Sequence, residues 1–255
     1  MPYFFYNQIH LGPVVIYTWS LFLGLAFLVS YWFSVKQAKK QGIEEKKILW
    51  LFVFVFFAGI IGSRMIYVFQ SFNYYLSHIP EIFQIWKGGL VFYGGFLGAL
   101  IISWIYIRKN KLSFLQIADI LSPAIALGIF IGRIGCSLIN DHQGEITDLF
   151  WAIKWPDGTF RHPVAEYLVL NALIMFFVLL FLQKKVKKPG QLFIIFLFWY
   201  SVSRFFLDFT RATGTSLSDF YYYGLTISQW VSLFILLVLI VYQVCDFLRS
   251  KKVRS

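Results

Sequence analysis

Three arginines stand inside apolar stretches of this chain. Arg64 follows FVFVFFAGIIGS, Arg133 follows PAIALGIFIG, and Arg204 follows LFIIFLFWYSVS. A guanidinium at the centre of a membrane helix costs about 2.5–3.5 kcal/mol on insertion scales. Each therefore needs a partner, a water-filled cavity, a bound anion, or a short route along which to snorkel to the interface. The planar guanidinium offers parallel donors to two oxygens at once, which is the geometry of phosphate recognition. Arg204 and Asp208 are four residues apart and share a helix face that Arg211 continues, a spacing that fits an ion pair as well as an anion site. Tyr93 sits among Gly88, Gly89, Gly94, Gly95 and Gly98. Small residues of this kind let helices, or a ligand, approach the backbone closely. Behind Arg133 the chain turns abruptly polar in GRIGCSLINDHQGE, residues 132–145, which brings Asp141 and His142 next to an arginine.

The elements that must position these residues follow from composition. Of 255 residues, 59% are hydrophobic and 21% aromatic, more than a soluble domain carries, so the chain reads as a polytopic membrane protein. Seven stretches are long enough to cross the hydrocarbon as helices: 13–35, 48–72, 89–107, 114–139, 163–183, 190–209 and 225–247. The expected fold is thus an all-α bundle in one domain over residues 1–255, with outer loops at 73–88, 140–162 and 210–224. In the middle loop, FWAIKW before PDG has the pattern of a short strand and turn. The net charge of +11 does not call for nucleic acid. Sixteen of the 23 Lys and Arg fall in four short segments, 36–47, 108–111, 184–188 and 249–254. Clusters placed this way set topology and meet anionic lipid, and they predict an outer N-terminus and a cytoplasmic C-terminus. No basic region precedes the first apolar stretch, so it reads as an uncleaved membrane helix. With that orientation Arg64, Tyr93, Arg133, Glu166, Arg204 and Asp208 fall in the outer half of the membrane on five spans, while Asp119 is an interfacial acid on the cytoplasmic side. Cys136 and Cys245 have no CxxC spacing, and His10, His78, His142 and His162 have no ligand spacing, so neither a disulfide nor a metal is expected.

Several stretches, in order along most of the chain, resemble the bacterial prolipoprotein diacylglyceryl transferases: LGPVVIYTW at 11–19, GSRMIYVF at 62–69, IWKGGLVFYGGFLGA at 85–99, ADILSPAIALGIFIGRIGC at 118–136, RHP at 161–163, RFFLDFTR at 204–211 and GLTISQW at 224–230. The resemblance implies an enzyme of the bacterial plasma membrane that needs no cofactor. It would move the diacylglyceryl group of phosphatidylglycerol to the lipobox cysteine thiol of a prolipoprotein signal peptide, releasing glycerol phosphate. It also implies that Arg133 and Arg204 hold the phosphate. Asp208 and Asp141 stand where glutamate is usual, Tyr93 where relatives have histidine or tyrosine, Cys136 where they have asparagine or cysteine, and Gly144 closes the signature. Arg64, Asp208, Gly94, Gly95 and Gly144 are expected beside the two arginines in the substrate site.

Departures from the pattern are NDHQG at 140–144, Ala165 for a glutamine after HP, and Trp19 and Ser20 for tyrosine and glycine. The reaction itself needs a stabilised leaving phosphate and a base, because a thiol with a pKa near 8.5 is only a few per cent thiolate at neutral pH. Two arginines in a water-poor site supply the first. His142 and Asp141 are candidates for the second ahead of Tyr93, whose phenol titrates near 10 and better serves as a donor to phosphate oxygens; His142 also fits an ordinary loop residue. His162 before Pro163 is expected to cap the fifth span. A non-catalytic lipid-binding or lipid-moving protein on the same scaffold is the alternative. A small-anion transporter is disfavoured, since no paired repeats are visible.

Overall fold

A computed structural model describes residues 1–12, 14–213 and 221–254. Eight α-helices dominate the described residues: α1 Thr18–Lys40, α2 Glu45–Gln70, α3 Phe72–Ser77, α4 Phe92–Lys109, α5 Phe114–Ile139, α6 Val164–Gln183, α7 Gln191–Leu207 and α8 Ile227–Arg254. Six of them, α1, α2, α5, α6, α7 and α8, are long and apolar enough to cross a membrane, which makes the chain a multi-pass, mostly helical membrane protein. The remaining expected span, α4, has 18 residues, of which Arg108 and Lys109 in its last turn are charged, and it does not stand among those six.

Three small antiparallel hairpins qualify the all-α expectation. Strands β1 Gln8–Leu11 and β2 Val14–Tyr17 pair ahead of α1, so the first helix begins at Thr18 rather than 13. Strands β3 Ile153–Lys154 and β4 Phe160–Arg161 flank the PDG turn. There Gly158 takes φ +82°, and Asp157 Oδ1 accepts from the Thr159 amide and hydroxyl at 2.9 and 2.6 Å. Strands β5 Tyr221–Tyr222 and β6 Leu225–Thr226 are joined by Tyr223 and Gly224, both at positive φ, as a two-residue hairpin turn with the native twist requires. Part of the expected 210–224 loop, residues 214–220, lies outside the described residues.

The chain divides into two compact units, one of residues 31–120 and the other of Met1–Ser30 with Leu121–Ser255. In the first, α2 and α4 pack backbone to backbone through glycines. A Cβ on Gly62 would be driven into the Gly94 carbonyl, one on Gly94 into the Gly62 carbonyl and Ile66, one on Gly95 into the Ser63 hydroxyl, and one on Gly98 into the Ala58 carbonyl. On the side where a Cβ would stand, the space beside Gly94 and Gly95, expected in the substrate site, is filled by α2.

Arg64, expected to bind substrate, anchors the loop after α2 instead. Its Nε donates to the Ile82 carbonyl at 2.8 Å, Nη1 to Gly88 and Gly89 at 2.8 and 3.2 Å, and Nη2 to Glu81 at 2.6 Å. The rings of Tyr67 and Tyr75 lie 5.4 and 5.5 Å from the guanidinium carbon. A cation so enclosed by carbonyls and π faces has little left to offer an anion.

In the second unit α5, α6 and α7 share a core of Ala126, Met175, Leu179, Leu192 and Phe196. The second half of α5 packs on the first half of α1, where Gly135 lies against Phe22 and Gly128 against the Ser30 hydroxyl. Helix α5 stops at Asn140, which adopts φ +45° and donates through Nδ2 to the Phe4 carbonyl at 2.6 Å.

Replacing Gly94 by Ala drives a methyl into the Gly62 carbonyl, a main-chain group that cannot swing aside as a side chain can. The expected cost is about 1–3 kcal/mol of overpacking, seen as a drop of several degrees in the thermal unfolding midpoint in detergent; an unchanged midpoint would contradict the packing described.

Candidate active site

Within the unit of residues 1–30 and 121–255, Arg133 of α5 and Arg204 of α7 line one cavity with Ile129, Leu168, Asn171, Tyr200 and Ser203. Its volume of about 20 Å³ is room for a single water. Arg204 is 9% exposed, and its Nη1 is buried without a hydrogen-bond partner. Its Nη2 donates to Ser228 Oγ at 3.1 Å and lies 3.2 Å from Asp208 Oδ1. Asp208 opens a 3-10 turn, Asp208–Thr210, at the end of α7 and is 1% exposed. Arg211 Nη1 is 3.7 Å from the same oxygen, near enough for charge pairing without hydrogen-bond alignment. Two cations thus face one carboxylate, and the surplus positive charge sits where Arg204 lines the cavity.

Asp208 is held from the other side by α8. Thr226 Oγ1 donates to Asp208 Oδ2 at 2.8 Å. Thr226 also caps α8: its amide donates to Gln229 Oε1 at 2.9 Å, while its Oγ1 accepts from the Gln229 amide at 3.1 Å. The residues TISQ form a capping box, a signal that the sequence itself carries. Gln229 Nε2 completes the tie by donating to the Phe205 carbonyl at 3.1 Å. A second polar chain missed from sequence runs under the cavity: Trp199 Nε1 donates to Asn171 Oδ1 at 3.0 Å, and Asn171 Nδ2 to Ser203 Oγ at 3.1 Å.

Arg133 faces the polar run that follows its own helix. Its Nη1 lies 2.8 Å from His142 Nε2 and 3.9 Å from Cys136 Sγ, while His142 Nδ1 is bonded to Asp141 Oδ1. The run is clamped as an irregular strand. Glu145 N donates to the Thr210 carbonyl and Ala212 N to the Gln143 carbonyl, both at 2.9 Å, and on the other flank His162 N donates to the Glu145 carbonyl at 3.0 Å and Thr147 N to Phe160 at 2.9 Å. Arg161 Nη1 donates to the Gly144 carbonyl at 3.2 Å. Gly144, expected in the substrate site, belongs to this clamp: a Cβ there would collide with the His162 carbonyl, so the packing alone requires glycine. His162 takes part through its backbone and places Nδ1 3.3 Å from the Tyr167 hydroxyl. The cap of α6 is Pro163, without a side-chain capping bond.

Burial holds the His142 imidazole below its usual value near 6.5; the charges of Arg133 and Arg211 act in the same sense and the Asp141 bond opposes them. Cys136 Sγ, an Asp141 oxygen and a His142 nitrogen lie within 4.8 Å of one another. Both ring nitrogens of His142 are already engaged, however, one by an arginine, so the cluster is a hydrogen-bonded group in this structure. Glu166 accepts from Ser137 Oγ at 2.7 Å. Tyr93 lies in the first turn of α4, in the unit of residues 31–120, 43% exposed.

The sequence model of the family described as prolipoprotein diacylglyceryl transferase matches residues 7–245. The chain belongs to this family. Among its relatives, the phosphatidylglycerol–prolipoprotein diacylglyceryl transferase of Geobacillus kaustophilus is 34% identical over 82% of both chains. The similarly named protein of Finegoldia magna is 34% identical over 89% of both, and that of Idiomarina loihiensis 31% identical over 94% of this chain and 91% of its own.

Removing the Asp208 carboxylate leaves Arg204 buried without its counterion. Asp208→Ala is expected to cost about 3–5 kcal/mol, read as loss of folded protein at moderate temperature in detergent, with Asp208→Glu retaining most of the stability; a neutral Asp208→Ala would disprove the pairing.

Proposed function

We propose that this chain transfers the diacylglyceryl group of phosphatidylglycerol to the lipobox cysteine thiol of a prolipoprotein, releasing glycerol phosphate. The observation that carries the reading is two guanidiniums, one with a free buried donor edge, lining a single cavity in an apolar bundle. Such a pair suits a phosphodiester: it binds the ground-state monoanion and gains as negative charge builds on the departing phosphate, in a site with little water to compete. The family to which the chain belongs gives that anion site its reaction. Arg133 and Arg204 are the phosphate ligands in this reading. Asp208 is the positioning carboxylate that aims Arg204, and Asp141 and His142 serve the acceptor thiol. The role of Tyr93 as a donor to phosphate rests on the resemblance alone.

A seventh crossing by α4 belongs to the same proposal. Its 18 residues span about 27 Å at 1.5 Å each, close to the roughly 30 Å of hydrocarbon, with Arg108 and Lys109 reaching the interface. Seven crossings put the N-terminus outside and the basic C-terminus in the cytoplasm, in accord with the charge bias of the loops. They place the arginine cavity in the outer half of the bacterial inner membrane, where a lipobox cysteine emerges.

Lysine keeps the charge of arginine without its two-donor fork. Arg133→Lys and Arg204→Lys should each insert normally and lose transfer by about 100-fold or more. The readouts are glycerol phosphate release and the mass gained by a lipobox peptide in micelles containing phosphatidylglycerol. Near-full activity in both variants, or binding of the lipid by the natural protein with no release, would end the proposal.

A further inference from the structure

We infer that His142 is the base that takes the proton of the acceptor thiol, and that Arg133 caps this base until a phosphate draws the guanidinium away. The inference rests on the transferase reading given above and adds to it a fixed order of events.

Arginine can only donate, so the nitrogen 2.8 Å from Arg133 Nη1, Nε2, must be the accepting one. A carboxylate can only accept, so Nδ1, bonded to Asp141, must carry the hydrogen. The contacts therefore define a neutral imidazole with its basic lone pair on Nε2, the protonation state a general base needs. That lone pair is covered by the residue that also lines the phosphate cavity. With room for about one water, the cavity does not admit a phosphate beside both guanidiniums as they stand. Arg204 is fixed by Asp208 and Ser228. Among the described residues the Arg133 side chain bonds to His142 and, at 3.9 Å, to Cys136, with no carboxylate to hold it, so it is the arginine that turns. The atom uncovered when it turns is His142 Nε2.

The charged and titratable groups around the ring are Arg133 and Cys136 from α5, Asp141 from the loop, and Arg211 beyond α7. Phosphate on Arg133 offsets one of the two cations that depress the imidazole, so the ring becomes more basic when the lipid is in place.

The step balances. Nε2 removes the thiol proton, and the sulfur attacks the glyceryl carbon bonded to the phosphate oxygen. The S–C bond forms as the C–O bond breaks, and its electron pair leaves with glycerol phosphate. The imidazolium then returns its proton to that phosphate, restoring the neutral ring for Arg133 to cover again.

The test uses the full chain in micelles with phosphatidylglycerol and a lipobox peptide, with release of glycerol phosphate followed against pH. For the natural protein, kcat/KM should fall on acidification through a value below about 6.5, and the acid limb of kcat should lie at higher pH, since kcat reports the lipid-bound site. His142→Gln should lower kcat by about 10²- to 10⁴-fold and abolish the acid limb, with binding of phosphatidylglycerol vesicles kept. A kcat within about threefold of the natural protein, or a retained acid limb, would overturn the assignment. Nitrogen-15 histidine spectra of the natural protein read the cap without any variant: the Nε2 resonance of His142 should move when phosphatidylglycerol is added and stay put with phosphatidylcholine, and no movement with either refutes the cap. Absence of glycerol phosphate release by the natural protein refutes the transferase reading instead, and the Nε2 resonance then decides the capping by itself.

Discussion

A guanidinium among apolar helices has to be compensated, and the compensation of Arg204 organises one end of the protein. Its charge meets Asp208 one turn later on the same chain, and that carboxylate is shared with Arg211 and tied to Thr226. Since Thr226 also starts α8, the ion pair, the end of α7 and the beginning of α8 form one connected unit. The residue after the 3-10 turn, Arg211, pairs with Gly144 in a bridge, which carries the same connection into the polar run behind Arg133. The clamp that orients Asp141 and His142 is thus continuous with the element that neutralises Arg204. A buried ion pair is in general weak evidence for stability; here its geometry leaves one donor edge of Arg204 unmade, the feature expected of a site that has a ligand to meet.

Three arginines met in sequence as equals have separate fates, decided by what surrounds them. Arg64 is closed off by carbonyls and aromatic faces, Arg204 is half neutralised, and Arg133 rests on a neutral ring. Hydropathy alone could not separate them, because the insertion cost is the same for all three and only the local supply of acceptors differs. The supply for Arg64 comes from backbone carbonyls at 81–89, which have no sequence signature at all.

Most of the helical frame was legible because apolar runs of sufficient length have few other uses. The 114–139 span agrees to the residue, whereas the first helix starts late because VVIY at 14–17 forms the second strand of a hairpin, an alternative that a β-branched run opening an apolar stretch permits. The pairing of Arg204 with Asp208 was readable from their spacing of four. The contact between Arg133 and His142 was not, since residues nine apart meet only because α5 ends at Asn140 in a left-handed conformation and folds the chain back. The glycines around Tyr93 had two readings in sequence, and the facing glycine and small residues on α2 decide for helix packing at Gly94 and Gly95. The capping box at Thr226 and Gln229 is legible in the spacing of TISQ itself.

The anchoring of Arg64 has a corollary for how this protein can change over generations. Its acceptors are main-chain oxygens of Glu81, Ile82, Gly88 and Gly89, and every amino acid brings such an oxygen. Drift in the side chains of that segment leaves the tether untouched, provided the two glycines keep their positive φ and Gly89 leaves room for Tyr67. The segment is therefore free to diversify at its surface while its path over the end of α2 is dictated by one arginine.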